Sequence, residues 1–268
     1  MNKLQTTLRI GLSSTYVALV RSHGWLRPRR HLLTDRPLDA GSAPHALQGL
    51  RTALADTGCA RMDATVVLGN EWVRLFMVTP PHNAERLRDC HAAMTMRFQQ
   101  LYGEPPNDWH VRADWDAQHP FLACAVPQAL LDGLQQAVAD HRLALVAIQP
   151  QFIAAWNRWR HAVPAHTWFG VVDAQALSLG VIDQGRLAEV RRLPLPPAAL
   201  DDPAWLSTQL AREALRQAMP APDRVCLCGW VPEPWLAPQD GAPACVRLDG
   251  AAAHASAGAE LALTGARS

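Results

Sequence analysis

The fold is decided by a stretch near the start of the sequence, LRIGLSSTYVALV at residues 8–20. Two apolar runs flank the polar residues Ser13, Ser14 and Thr15. This pattern predicts two short β-strands joined by a polar turn. A third strand is predicted over residues 26–33, so the sequence opens with three strands in succession.

A helix and a further strand complete this first group of elements. The helix is predicted over residues 44–56, because Leu47, Leu50 and Leu54 fall on one helical face. A short apolar run at residues 65–68 then predicts a buried strand. The first part of the chain therefore has the order strand-strand-strand-helix-strand.

The second half of the sequence repeats this order. The stretch TWFGVVDAQALSLGVI, residues 167–182, predicts two strands around a turn that begins at Asp173. Gln184 and Gly185 suit a tight hairpin into the third strand. The copy is completed by a strand at residues 186–193, a helix capped by Asp202 with Pro203 at its first position, and a strand at residues 225–228.

An insertion separates the two copies. It is predicted to contain a strand over residues 72–78, a helix from Asn83 to Leu101 with Asn83 as its N-cap, and two strands at residues 111–115 and 121–126. An Ala-rich stretch from Ala251 to Leu263 is predicted to form a weak final helix. The whole pattern indicates an α/β fold built on a duplicated plan.

Composition excludes several classes of function. The chain has 268 residues with a net charge of +1, so bulk charge does not favour binding to nucleic acid or to a membrane surface. The sequence has no run of 18 apolar residues and no signal-peptide pattern, which predicts a cytoplasmic protein with reduced thiols. Lys3 is the only lysine, so no other lysine is present to form a Schiff base or to hold a phosphate.

The sequence also lacks the usual constellations of catalysis and metal binding. Its histidines are scattered with no His-x-x-x-His pair, and Ser13 and Ser14 have no Gly-x-Ser-x-Gly elbow around them. Cys226 and Cys228 lie in an apolar run and are predicted to pack in the core. We therefore expect no catalytic residue, no metal site and no enzymatic activity.

Several segments resemble the PilM-like pilus assembly proteins and the related cytoplasmic domain of GspL. The turn and strand at residues 11–20, the segment at residues 66–74 that ends near Pro80 and Pro81, and residues 121–126 are similar to segments of that family. The resemblance implies an actin-like ATPase fold, which is a duplicated RNase H-like fold with a small inserted α+β subdomain. It implies a first subdomain of residues 1–65 and 127–162, an insertion of residues 66–126, and a second subdomain of residues 163–268.

The resemblance also implies a nucleotide site, and the matching motifs are eroded. Gly11 stands where the family has an aspartate, and Ser13 stands where it has a glycine. Asp173 matches an acidic position of the second turn, but residues 174–177 replace its Gly-rich stretch. Gly229 is retained in the adenosine region, whereas Trp230 replaces a second glycine, and its ring is expected either to fill the base pocket or to pack on Pro232 or Trp235.

The implied site is therefore vestigial, with Ser13, Ser14, Thr15, Asp173 and Gly229 as its remaining residues. Ser13, Ser14 and Thr15 could contact a phosphate or simply form a polar turn, and Asp173 could hold magnesium or cap its own turn. We expect no resident cofactor. The alternative function is that of a divergent ATP-binding ATPase or kinase that uses Asp173 with magnesium.

The function implied by the resemblance is that of a scaffold. Such proteins bind the N-terminal cytoplasmic tail of a single-span inner-membrane partner, and a motor ATPase is a further implied partner. The chain would then be cytoplasmic and peripheral at the inner membrane. Val73, Leu75 and Phe76 on the first strand of the insertion are the predicted partner-binding residues, with burial in the core of the insertion as the alternative.

Overall fold

A computed structural model describes residues 6–24, 28–39, 41–82, 84, 86–165, 167–238, 240–249 and 256–266. The chain divides into two compact units. The first unit comprises Met1–Arg158 and His254–Ser268, and the second comprises Trp159–Ala253. Within the described residues, no helix is both long enough and apolar enough to cross a membrane.

The first unit is built on a five-stranded sheet with the order β3-β2-β1-β4-β8. Its strands are β1 (Thr6–Leu12), β2 (Tyr16–His23), β3 (Arg29–Pro37), β4 (Asp63–Leu68) and β8 (Ala144–Pro150). Strands β1, β2 and β3 are antiparallel neighbours, whereas β4 lies parallel to both β1 and β8. The predicted group of three strands, a helix and a strand is confirmed in this sheet.

Two helices cover one face of the first sheet, namely α1 (Ala43–Thr57) and α3 (Gln128–Asp140). Side chains alternate along β1, so Leu8, Ile10 and Leu12 all point into this layer and are fully buried. They pack against the apolar faces of the two helices, including Leu50 and Leu134. The predicted stripe of leucines on the first helix is confirmed as its core face.

The opposite face of β1 and β2 is covered by α6 (Ala257–Leu263). Ala262 and Leu263 pack on Ala18 and Val20. The predicted second subdomain of residues 163–268 is therefore wrong in its last part, because α6 belongs to the first unit. The described part of the predicted final helix begins at Ala257, and residues 251–255 lie outside the described residues.

The second unit repeats the sheet with the order β11-β10-β9-β12-β13. Its strands are β9 (Trp168–Val172), β10 (Ala176–Asp183), β11 (Arg186–Pro194), β12 (Arg224–Gly229) and β13 (Ala244–Arg247), and its helix is α5 (Pro203–Arg216). Gln184 and Gly185 form the predicted hairpin with φ values of 48° and 77°. The predicted cap is also confirmed, because Asp202 accepts a hydrogen bond from the Ala204 N–H at 2.9 Å.

The insertion forms a small α+β layer inside the first unit. Its strands are β5 (Arg74–Val78), β6 (Trp109–Ala113) and β7 (Phe121–Pro127), and they form a sheet with the order β5-β7-β6. The helix α2 (Leu87–Tyr102) packs on this sheet. The predicted start at residue 66 is wrong, because β4 remains in the first sheet as far as Leu68. Arg86 is the N-cap of α2, whereas the predicted cap, Asn83, lies outside the described residues.

Candidate functional site

The turn between β1 and β2 is closed by Ser13. Its side chain is buried, and its Oγ accepts hydrogen bonds from the N–H groups of Thr15 at 3.1 Å and Tyr16 at 3.0 Å. The Ser13 N–H in turn donates to the Tyr16 carbonyl at 3.0 Å. The Ser13 hydroxyl therefore holds the turn together, as expected for a polar hairpin.

The remaining amide of this turn binds a carboxylate. The Ser14 N–H donates to Glu71 Oε1 at 2.6 Å, across 57 residues of sequence. A bond of this length to a charged acceptor belongs to the strong, charge-assisted class. No local pattern in the sequence signals this contact, and Glu71 is not among the predicted site residues.

Glu71 lies in a short 3-10 turn, Asn70–Trp72, which directly follows β4. Its neighbour Asn70 is buried, and Asn70 Oδ1 accepts a hydrogen bond from the Phe152 N–H at 2.9 Å. Phe152 is the second residue of α4 (Gln151–Trp159). The side chain of Asn70 therefore anchors the 3-10 turn to the first turn of a helix and fixes the backbone that carries Glu71.

Gly69 leaves space for the Glu71 carboxylate. A Cβ at position 69 would overlap Glu71 Oε2, so a larger residue would displace the carboxylate. The Gly69 N–H also donates to the Leu12 carbonyl at 2.9 Å, next to the β1–β2 turn. Gly69 and Asn70 together bring Glu71 to the Ser14 amide.

Asp173 closes the corresponding turn of the second unit. Asp173 Oδ1 accepts hydrogen bonds from the N–H groups of Gln175 and Ala176, both at 2.7 Å. Burial raises the pKa of Asp173, and these hydrogen bonds and the charge of Arg192 oppose that rise. Among the residues that the structure describes, Asp173 Oδ2 has no hydrogen-bond partner.

In the duplicated plan, Asp173 is equivalent to Ser13 and not to Gly11. The last strand pair before each turn is Leu12 with Val17 in one sheet and Val172 with Leu177 in the other. The residue equivalent to Gly11 is then Val171, which is fully buried. Asp173 therefore lies within its turn, whereas Gly11 lies on the strand before the first turn.

Gly11 itself lies under α6. A Cβ at this position would lie 2.7 Å from the Ala262 nitrogen and 2.9 Å from the Gly258 carbonyl oxygen. An aspartate at position 11 would therefore overlap the backbone of α6. Arg9, two residues earlier on the same face, donates to the carbonyls of Ala262 and Thr264, each at 2.7 Å, and so holds the last turn of α6 in place.

A third loop follows β12. Gly229 has a φ of +88°, and a Cβ there would overlap the carbonyl oxygen of Val172, so both conformation and space require glycine. Its N–H donates to Asp249 Oδ2 at 2.7 Å. The Trp230 side chain is 43% exposed. The ring of Trp235 is buried and stacks on Trp205 instead, with centroids 5.2 Å apart.

The predicted site residues thus fall into two sets. Ser13, Ser14 and Thr15 share one turn of the first unit. In the second unit, Asp173 follows β9 and Gly229 is the last residue of the neighbouring strand β12. In both sets, backbone amides that could meet a phosphate already donate to carboxylates of the chain, at Ser14 and at Gly229.

The residues present do not fit magnesium and a nucleoside triphosphate. Position 11 has no room for an acidic side chain, and the Ser14 and Gly229 amides are already bonded to anions. No group of three or more His, Cys, Asp or Glu side chains with the geometry of a metal site occurs in the described part of the chain.

The predicted partner-binding residues occupy different environments. Phe76 is 2% exposed and packs edge-on against Phe98, with the two ring centroids 5.7 Å apart. The prediction of partner binding is therefore wrong for Phe76, and the alternative of burial in the core of the insertion holds. Val73 packs against the core of the first unit. Leu75 is half-buried and lies opposite Cys124, on the face of the inserted sheet that points away from α2. Alternation along β5 separates Leu75 from Phe76.

Comparison with known proteins adds evidence on the fold. No family model and no curated protein sequence matches the chain. Among solved structures, the PilM–PilN type IV pilus biogenesis complex is 16% identical, with a TM-score of 0.59 over 84% of this chain and 81% of that one. The cytoplasmic domain of EpsL, from the type II secretion system of Vibrio cholerae, is 11% identical, with a TM-score of 0.58 over 96% of this chain and 93% of that one.

A third similar structure is a protein of Bacteroides thetaiotaomicron with an actin-like ATPase fold and unknown function. It is 10% identical, with a TM-score of 0.58 over 85% of this chain and 84% of that one. Identities this low establish the fold alone. The chain therefore has the actin-like ATPase fold, as the resemblance implied.

Proposed function

We propose that the chain is a cytoplasmic scaffold in an inner-membrane assembly platform of the kind that serves type IV pili or type II secretion. Two of the similar structures come from such machines, and each matches more than four-fifths of both chains. The observation that carries the proposal is the contact of the Glu71 carboxylate with the Ser14 amide, because it occupies a backbone donor that a phosphate would need. The scaffold would be held at the inner membrane through its partner.

The proposed partner is the cytoplasmic tail of a single-span membrane protein. Strand β5 lies at the edge of the inserted sheet, and an edge strand can accept an added peptide strand. The Met77 carbonyl accepts a hydrogen bond from Arg97 Nε at 3.3 Å and so points away from β7. Backbone groups alternate along a strand, so those of Leu75 also face the outer edge. We propose that a tail peptide pairs there and contacts the Leu75 side chain.

A titration with a synthetic tail peptide tests this proposal, using the tail of a single-span protein encoded beside this chain. Leu75→Asp should weaken binding at least about tenfold, since it places a charge in an apolar contact. Leu215→Asp is the matched control, because Leu215 is an exposed leucine of the second unit, and it should leave affinity within about twofold. Equal affinities of Leu75→Asp and the wild type would refute the β5 site.

The alternative is an ATP-binding enzyme, and one observation favours it. Asp173 is 6% exposed, and its Oδ2 lacks a hydrogen-bond partner in the described part of the chain. Binding of a non-hydrolysable ATP analogue should be measured on the wild type and on Asp173→Ala. The scaffold proposal predicts no magnesium-dependent binding to either, whereas micromolar binding that is lost in Asp173→Ala would establish the alternative.

A further inference from the structure

We infer that the β1–β2 turn of the first unit is an anion site that the protein fills with its own carboxylate, that of Glu71. The inference rests on the degenerate-site part of the proposed function and is independent of the peptide part. It assigns a role to Glu71, which is not among the residues predicted for the nucleotide site.

The turn is preorganised to bind an anion. Ser13 Oγ accepts hydrogen bonds from the amides of Thr15 and Tyr16, and these bonds fix the backbone of the turn. The Ser14 N–H does not bind this hydroxyl and donates to another acceptor. Because the backbone of the turn is already fixed, the amide does not have to be reoriented when it binds a negatively charged oxygen, and it is therefore an effective donor. The oxygen that it meets is Glu71 Oε1, at 2.6 Å.

The carboxylate is held by a built structure. Gly69 provides the space, because any Cβ there would overlap the carboxylate, and its own N–H binds the Leu12 carbonyl beside the turn. Asn70 fixes the next residue through Phe152 at the start of α4. Three consecutive residues, Gly69, Asn70 and Glu71, therefore each contribute one part of the contact.

A tethered ligand has an advantage over a free one. Glu71 is part of the same folded unit, so its effective concentration at the Ser14 amide exceeds that of a dissolved anion at ordinary concentrations. Its negative charge also repels an incoming phosphate. The turn is therefore held in one closed state that does not depend on nucleotide.

The test follows the Ser14 amide by NMR in protein labelled with ¹⁵N-serine, with the resonance assigned through Ser14→Ala. The samples are the wild type, Glu71→Gln, Glu71→Ala and the control Glu104→Ala, which removes another partly exposed glutamate of the first unit. Inorganic phosphate is the probe. Circular dichroism and thermal unfolding establish that each variant is folded.

In the wild type and in Glu104→Ala, the Ser14 amide should resonate downfield and respond little to phosphate. In Glu71→Ala this resonance should move upfield. Added phosphate should return it downfield, and the phosphate-induced change in chemical shift should be at least about tenfold larger than in the wild type. Glu71→Gln, which keeps an oxygen but loses the charge, should lie between them. This variant also covers the case in which Glu71→Ala does not fold.

Two results would overturn the inference. One is a Ser14 resonance that does not move in Glu71→Gln and Glu71→Ala, since Glu71 would then not be its acceptor. The other is a phosphate response that is equal in all samples or absent from the Glu71 variants, since the turn would then not be an anion site. The tail-peptide titration on the same samples reports separately on the proposed function.

Discussion

The β1–β2 turn and the β9–β10 turn occupy the same place in the two sheets, and they are built from the same hydrogen bonds. In each turn, one side-chain oxygen accepts hydrogen bonds from the amides two and three residues later. The acceptor is Ser13 Oγ in the first turn and Asp173 Oδ1 in the second. The source of the negative charge differs. The second turn carries it on Asp173, whereas the first receives it from Glu71, 57 residues away.

This comparison shows that one backbone frame accommodates two different side chains. A serine and an aspartate can both close the frame, because each places an oxygen within hydrogen-bonding distance of the amides two and three residues later. What differs is the source of the negative charge, which is Asp173 itself in the second turn and Glu71 in the first. The shape of a turn in this fold therefore does not imply that the turn still binds a nucleotide.

The largest expected effect comes from placing an aspartate at position 11, before the first turn. Gly11→Asp should destabilise the protein by about 3 kcal/mol or more, because the new side chain overlaps α6 and buries a charge. Urea unfolding measures this change.

The matched control is Gly103→Asp, whose Cβ would meet no atom within 4 Å although its φ is +76°. It should cost only about 1 kcal/mol. If Gly11→Asp is as stable as this control, α6 does not cover β1 as described, and room for an acidic residue exists there.

A medium effect is expected from exchanging the residue that closes the second turn. Asp173→Ala should cost about 1–2 kcal/mol, because the amides of Gln175 and Ala176 lose their acceptor. Asp173→Ser should recover most of that loss, since Ser13 performs the same task in the first turn. Equal unfolding free energies for the alanine and serine variants would contradict the equivalence of the two turns.

The smallest effect concerns pH. Burial raises the pKa of Asp173 above its ordinary value of 3.8, so the folded protein binds the proton more tightly than the unfolded chain. Its contribution to stability is fully present below the unfolded pKa and is lost as pH rises through the folded pKa. The substitution Asp173→Asn keeps an oxygen acceptor for the turn and removes the titrating group.

The stability of Asp173→Asn relative to the wild type should therefore increase from about pH 4 to about pH 7, by about 1.4 kcal/mol for each unit of pKa elevation. Urea unfolding at several pH values measures the difference. A difference that stays constant or decreases with pH would show that the hydrogen bonds to Asp173 outweigh its burial.

The sequence predicted the parts of this molecule that depend on neighbouring residues. The polar turn at Ser13, the hairpin at Gln184 and the cap at Asp202 are all local, and all were predicted correctly. The contact of Glu71 with Ser14 was not predictable in this way, because nothing near either residue identifies the other. Phe76 was misassigned because it was grouped with Leu75, although period-two alternation places them on opposite faces.

The prediction that placed α6 in the second subdomain failed for a related reason. An Ala-rich stretch indicates a helix, but its small side chains do not specify which sheet they will cover. The deciding contacts are Gly11, which admits the helix backbone, and Arg9, which binds the carbonyl groups at its carboxyl end. Both residues are distant in sequence from α6, and the Arg9 bond to Ala262 spans 253 residues.

That separation has a consequence for biosynthesis. A ribosome makes β1 before it makes the second unit, and it reaches α6 only after translating the entire second unit. During this interval Ala18 and Val20 lack the apolar cover of α6, and Arg9 lacks its two carbonyl acceptors. The second unit is a continuous segment and can complete its sheet first, so the first unit is completed after the second although its strand β1 is synthesised earlier. A nascent chain halted before α6 would present that face to chaperones.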